Sequence, residues 1–121
     1  MKKSDNVVMN KSYAFALRII KLYQFLVSNK KEYVLSKQLL RSGTAVGALI
    51  KEAEHAQSKA DFLNKMNIAL KESNECEYWL ELLRDSGYLS VDESASIIED
   101  STELLKLLIS IVKSTKTSLN R

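Results

Sequence analysis

The chain has 121 residues, of which 45% are hydrophobic and 27% charged, the size and balance of one soluble domain. It has no proline, three glycines and one cysteine, which excludes an internal disulfide and disfavours a turn-rich β fold. No apolar run reaches the roughly 20 residues that span a bilayer, and the basic start lacks the apolar core of a secretion signal. We therefore expect a cytoplasmic protein that has no membrane segment and no membrane partner.

The first predicted helix begins near Asn10 and ends at about Ser28, after a frayed arm at residues 1–8. Its apolar residues recur at helical spacings and share one broad face. They are Met9, Ala16, Ile19, Tyr23 and Leu26, flanked by Phe15, Leu22 and Phe25. A stripe this wide indicates that the helix is buried on more than one side.

The second predicted helix runs from about Val34 or Ser36 to Gln57. Gly43 and Gly47 lie in its middle, where each glycine costs roughly 1 kcal/mol of helix stability relative to alanine. Two such residues favour close approach by another helix. The alternative is a groove that gives a ligand access to the backbone.

The third predicted helix is capped by Ser58, with Asp61 in its first turn, and stops at Gly87. Its buried positions alternate by four and three residues: Phe62, Met66, Ala69, Ser73, Cys76, Leu80 and Leu83. In the fourth helix, Ser90 and Glu93 form a capping box. This helix is predicted to end at about Ser114, followed by a frayed tail at residues 115–121.

Four amphipathic helices joined by short loops predict an all-α fold. The expected architecture is an antiparallel up-down-up-down four-helix bundle that forms a single domain over residues 1–121.

The charge is unevenly distributed along the chain. Residues 1–51 carry ten Lys or Arg and two Asp or Glu, a net charge of +8, whereas residues 52–121 carry eight and thirteen, a net charge of −5. One interpretation is a basic face that binds RNA or DNA. The other is that the two halves neutralise each other, within the bundle or between subunits. The candidate nucleic-acid-binding residues are Lys11, Arg18, Lys21, Lys30, Lys31 and Arg41.

The chain shows little sign of catalytic chemistry. Glu52 and His55 have the spacing of di-iron bundle ligands, with Glu72 or Glu75 as further carboxylates, but His55 is the only histidine and a second Glu-x-x-His is missing. Cys76 lies in the apolar seam, where a thiol is unreactive. The sequence contains no phosphate-binding glycine loop. We therefore predict no catalytic residue, no metal, no cofactor and no enzymatic activity.

Trp79 projects about a quarter-turn away from Leu80 and is predicted to lie outside the central seam, at a helix–helix or subunit boundary. The other candidate interface residues are Glu72, Glu75 and Leu82.

Several segments together resemble one bacterial family, the four helix bundle or 23S rRNA intervening-sequence proteins. The resemblance covers nearly the whole chain and rests on Arg41-Ser42-Gly43-Thr44, Gln57-Ser58-Lys59-Ala60-Asp61-Phe62, Ile68-Ala69-Leu70-Lys71-Glu72, Glu75, Tyr78-Trp79-Leu80 and Gly87-Tyr88-Leu89. The chain departs from the family pattern at Ala48, where asparagine is frequent, and at Ala53, where glycine is frequent.

The resemblance implies a homopentameric ring of bundles without an established enzyme activity. A similar fold occurs in a basic, pentameric accessory protein of diversity-generating retroelements, which works with nucleic acid. Two functions follow as expectations: a structural or adaptor protein that binds itself and another protein, or a nucleic-acid-binding accessory protein.

Overall fold

The computed structural model of the chain describes residues 3–120, and in this range it consists of four helices without a strand. The helices are α1 (Lys3–Ser28), α2 (Leu35–Ala53), α3 (Lys59–Asp85) and α4 (Val91–Leu119). The predicted all-α four-helix bundle is therefore confirmed. The parts of the predicted frayed ends at Met1, Lys2 and Arg121 lie outside the described residues.

Each helix packs against its neighbours in chain order, and α4 closes the bundle against α1. The packing of α1 on α4 is the least extensive of the four helix pairs. Lys30, just beyond the end of α1, lies 3.7 Å from Glu93 in the first turn of α4. This contact is the one expected if successive helices alternate in direction.

Both terminal helices are longer than predicted. Residues 3–8 belong to α1, and Val8 is fully buried, so burial of its side chain extends the helix where a frayed arm was expected. At the other end, α4 continues past Ser114 to Leu119. There the ammonium group of Lys59 donates to the hydroxyl of Ser118 over 2.6 Å, which ties the last turn of α4 to the start of α3.

The second helix is shorter than predicted and ends at Ala53 rather than Gln57. The next backbone bonds, from His55 N–H to Glu52 C=O and from Ala56 N–H to Ala53 C=O, span only three residues. Such tight bonds mark a helix that is closing into a turn.

The predicted caps of α3 and α4 are confirmed. The hydroxyl of Ser58 accepts from the Asp61 N–H at 3.0 Å. At α4 both bonds of the capping box form, since Ser90 accepts from the Glu93 N–H while the Glu93 carboxylate accepts from the Ser90 N–H. Gly87 has φ of 91°, the left-handed conformation that lets the chain leave α3.

The start of α2 is capped by a residue that was not predicted, Glu32. Its carboxylate accepts from the N–H groups of Val34, Leu35 and Ser36 at 3.2, 3.0 and 2.7 Å, and only 6% of the residue is exposed. Burial by itself would raise the pKa of Glu32. The backbone N–H groups that stabilise the carboxylate outweigh this effect and hold its pKa below the ordinary value.

Gly43 lies against Ile19 of α1, which confirms the prediction that another helix approaches α2 closely at this glycine.

The buried face of α1 differs from the predicted one. Met9, Ala16 and Tyr23 are only partly buried, and the helix is rotated towards a stripe that includes Ser12. The buried residues of α1 are Val8, Ser12, Phe15, Ile19 and Leu26.

Candidate interaction surfaces

Most of the predicted nucleic-acid-binding residues of α1 point at carboxylates of α4. Lys11 is hydrogen-bonded to Glu103, and Arg18 lies 2.5 Å from Asp100. Lys30, in the loop after α1, forms a third ion pair with α4, so the three pairs lie along the helix pair that packs least extensively. A cavity of about 140 Å³ lies at this seam, next to Lys11 and Glu103. The basic N-terminal half thus neutralises part of the acidic C-terminal half within one chain.

Lys21 and Lys31 differ from the other predicted cations. Both are exposed, and neither has a carboxylate within 4.0 Å in the part of the chain that the structure describes. Of the six residues predicted to bind nucleic acid, these two alone keep an ammonium group outside an intramolecular ion pair.

Arg41 joins the two predicted sites into one cluster. Its guanidinium contacts Glu72 at 3.2 Å and Glu75 at 2.6 Å, the two glutamates predicted at a subunit boundary. The indole N–H of Trp79 donates to the same Glu75 carboxylate over 3.2 Å. Arg41 is therefore held against α3 by two carboxylates, which accept hydrogen bonds from both of its terminal nitrogens.

The electrostatics of this cluster favour the charged forms. The hydrogen bond from Arg41, followed by that from Trp79, lowers the pKa of Glu75. The hydrogen bond to Glu75 and the charge of Glu72 raise the pKa of Arg41. The cluster therefore remains an ion pair at neutral pH and fixes the orientation of the Trp79 ring.

Trp79 lies beside the core and not within it, as α3 buries Cys76, Leu80 and Leu83. Tyr78 is 55% exposed and packs edge-on against Trp79, with ring centroids 5.1 Å apart. With the partly buried Leu82, these two aromatic residues form an exposed patch that we call the α3 surface. The predicted position of Trp79 outside the seam agrees with this, while its role between subunits stays a prediction.

A second apolar patch was not identified from the sequence. Tyr13, Leu17 and Ile20 recur at helical spacing on the outside of α1 and are 69%, 49% and 38% exposed. We call this patch the α1 surface. The spacing of four and three residues is visible in the sequence, but the predicted apolar stripe of α1 does not include these three residues.

The structure does not assemble a metal site from Glu52 and His55. Because α2 ends at Ala53, His55 lies in the following turn and does not share a helix face with Glu52. Glu52 lies 3.9 Å from Lys65, while Glu72 and Glu75 are bound to Arg41. Within residues 3–120, no three His, Cys, Asp or Glu side chains are grouped as metal ligands.

Cys76 is fully buried in the core, as predicted for an unreactive thiol. Burial raises the pKa of Cys76 to about 12, so the thiolate is not populated at neutral pH. The four described helices also include none with the length and apolarity needed to cross a membrane.

The chain is thus an all-α four-helix bundle. Its described surface carries ion pairs between neighbouring helices and two exposed apolar patches. Residues 4–110 match the model of the 23S rRNA-intervening sequence protein family, and the chain belongs to that family.

A crystal structure from Bacteroides thetaiotaomicron VPI-5482 is similar to this chain, with 63% sequence identity and a TM-score of 0.88. The similarity covers 91% of this chain and 98% of the other. The Bacteroides protein is described as a member of the S23 ribosomal protein family with unknown function. No curated protein matches the chain significantly.

Proposed function

We propose that the chain is a non-enzymatic, homo-oligomeric helical-bundle protein that acts in the cytoplasm as a structural or adaptor protein. The α1 surface is the observation that carries this proposal. Tyr13, Leu17 and Ile20 form an apolar strip on one helix face, and such strips mark contacts with other chains. On the neighbouring helix, Gly47 lies against Ser12, and Ala48 beside it is exposed. Small residues there leave the approach to α1 open.

The same geometry supports a role without catalysis. The thiol of Cys76 is buried, and Arg41 occupies the carboxylates of Glu72 and Glu75. Groups that could have acted as a nucleophile or as metal ligands are thus used in packing and ion pairing.

The mass of the protein in solution tests the proposal. Light scattering at micromolar concentration should give a multiple of the 13.7 kDa chain, and the family resemblance sets the expected number of subunits at five. The mass should decrease on dilution, because association is governed by concentration. A particle of 13.7 kDa at all micromolar concentrations would contradict self-association.

A nucleic-acid-binding accessory protein is the second candidate. It is favoured by the exposed ammonium groups of Lys21 and Lys31, which have no ion-pair partner among the described residues, and by the scarcity of acidic residues before Glu52. It ranks second because Lys11, Arg18, Lys30 and Arg41 are each paired with a carboxylate of the same chain. Phosphate would have to displace these carboxylates to gain the same contacts.

A further inference from the structure

Two loops lie together at one end of the bundle: residues 29–34 between α1 and α2, and residues 86–90 between α3 and α4. Lys30 of the first loop lies 3.7 Å from Glu93, which is in the helical turn that follows the second loop. Apolar and aromatic side chains at this end form a further exposed patch, which we call the end surface. Its members are Tyr33 (51% exposed), Val34 (71%), Tyr88 (39%) and Val91 (71%).

The loops hold both tyrosines of the end surface on an anchored backbone. Tyr33 follows Glu32, which is buried and whose carboxylate accepts from three backbone N–H groups at the start of α2. Tyr88 precedes Leu89, which is 1% exposed and donates its N–H to the carbonyl of Leu83 over 3.1 Å. Because the backbone beside each exposed ring is already fixed, little conformational entropy is lost when a flat ligand packs on the ring.

The free charges of the two loops and of the turns that follow them are mostly positive. Lys31 and Lys37 are exposed, and neither has a carboxylate within 4.0 Å in the described chain. The carboxylates of Glu32 and Glu93 accept from the backbone N–H groups that begin α2 and α4. Asp92 is exposed and has no ion-pair partner among the described residues. Two free ammonium groups thus accompany the tyrosines, against one free carboxylate.

We infer that the end surface binds single-stranded nucleic acid, with unpaired bases stacked on the two tyrosines and phosphates beside Lys31 and Lys37. This inference rests on the second candidate function and names its ligand. Aromatic rings stack on bases of any sequence, while lysines contact the phosphates between them. A duplex cannot use the two rings in this way, because its bases are stacked on one another inside the helix.

The same side chains fit an anionic membrane less well. A protein that lies on a membrane inserts large apolar side chains such as Trp, Phe or Leu at the boundary of the acyl chains. Besides its tyrosines, the end surface offers only the short side chains of Val34 and Val91. The nearby leucines are unavailable, since Leu35 is partly buried and Leu89 fully buried. Phospholipid vesicles therefore serve as the competing ligand in the experiment.

Fluorescence anisotropy of a labelled single-stranded RNA of mixed sequence, compared with the same strand paired to its complement, tests the inference. We expect the wild type to bind the single strand more tightly. Tyr33→Leu with Tyr88→Leu keeps apolar side chains but removes the aromatic faces. It should weaken binding of the single strand at least about fivefold and leave duplex binding unchanged. Tyr33→Phe with Tyr88→Phe is the matched control, because it keeps both rings, and it should bind as the wild type does. Circular dichroism should show that both double variants are folded.

The salt dependence of binding separates stacking from charge. Lys31→Gln removes one phosphate contact, so the plot of log affinity against log salt should become shallower by about 0.7 on a single strand. The leucine double variant should bind more weakly at every salt concentration but keep the wild-type slope, because stacking releases no counterions.

Three results would overturn the inference while leaving nucleic-acid binding intact. They are equal affinity of the wild type for single strand and duplex, wild-type binding by the leucine variant, and a phenylalanine variant as weak as the leucine variant. Tighter binding to vesicles of phosphatidylserine and phosphatidylcholine than to the single strand would overturn it in favour of a membrane surface. Absence of binding to either form of RNA would refute the second candidate function, and the inference with it.

Discussion

Gly43 of α2 lies so close to Ile19 of α1 that a β-carbon added to the glycine would stand 2.8 Å from two carbons of the isoleucine side chain. Carbon atoms repel strongly at that distance. Ile19 is fully buried and cannot move aside without disturbing the core. At Gly47, one turn later, an added β-carbon would meet Ser12 at 3.5 Å, an ordinary contact.

The two glycines should therefore respond to alanine in opposite directions. We expect Gly43→Ala to lower the free energy of unfolding by about 1–3 kcal/mol, because the core is overpacked. Gly47→Ala should raise it by up to about 1 kcal/mol, because alanine is the better helix former. Urea unfolding followed by circular dichroism, at equal chain concentrations, measures both. Equal effects of the two substitutions would contradict the close contact at Gly43.

The cap at Glu32 predicts a large effect from a small chemical change. Glu32→Gln keeps the shape of the side chain but removes the charge and one of the two oxygens that accept from the start of α2. We expect a loss of about 1–3 kcal/mol in the free energy of unfolding. Glu54→Gln, at an exposed position after α2, is the matched control and should change little.

The same cap should make stability depend on pH. The pKa of Glu32 is lower in the folded chain than the ordinary value of about 4.5, so folding favours the carboxylate. Its contribution is complete above that ordinary value and is lost as the pH falls through the lower folded value. The stability difference between wild type and Glu32→Gln should thus be constant near neutral pH and shrink below about pH 4.5. A difference that stays constant down to pH 2 would show that the charge of Glu32 is unimportant.

Local signals in the sequence were sufficient to predict the caps of α3 and α4 and the end of α3. Ser58, Ser90 and Gly87 act on neighbours three or fewer residues away, so the pattern contains the whole interaction. The cap at Glu32 is also local, because its carboxylate accepts from N–H groups two to four residues further on. It was not predicted because glutamate is not among the residue types that usually cap the start of a helix.

The partners of the basic residues could not be predicted from the sequence either. Lys11 can bind phosphate only if its side chain is not paired with Glu103, which is 92 residues away along the chain. The rotation of α1 relative to α4 decides which of the two it contacts. The rotation of α1 is set by burial of Val8 and Ser12, and both residues lie outside the face assigned from periodicity. The charge asymmetry was visible in the sequence, but its neutralisation within one chain required the structure.

Trp79 should matter more for assembly than for folding. Trp79→Ala removes a partly buried aromatic side chain beside the core, and we expect it to raise the dissociation constant of the oligomer at least about tenfold. Helix content by circular dichroism should change little. Trp79→Phe keeps most of the ring area but loses the hydrogen bond to Glu75, so it should have a smaller effect. Equal loss of assembly and helix content would show that Trp79 belongs to the core.

The ion pairs between α1 and α4 predict how nucleic-acid binding would respond to mutation. Asp100→Asn with Glu103→Gln would release Arg18 and Lys11 from their partners. Each additional phosphate that these cations contact should steepen the salt dependence on duplex DNA by about 0.9. The double variant should therefore leave an RNA or DNA column at higher salt than the wild type. Lys21→Glu with Lys31→Glu should elute at lower salt, without breaking an ion pair seen in the described chain.

Reversing Lys11 or Lys30 would be a less clear experiment, because each would also place two carboxylates together at the α1–α4 seam. The matched control is Lys106→Glu with Lys113→Glu, which makes the same charge change at exposed positions of α4. If binding uses a basic N-terminal face, this control should shift elution less than the Lys21 and Lys31 variant. Equal shifts would indicate a response to net charge only. Passage of the wild type through the column at about 50 mM salt, with no gain from Asp100→Asn and Glu103→Gln, would exclude phosphate binding by this face.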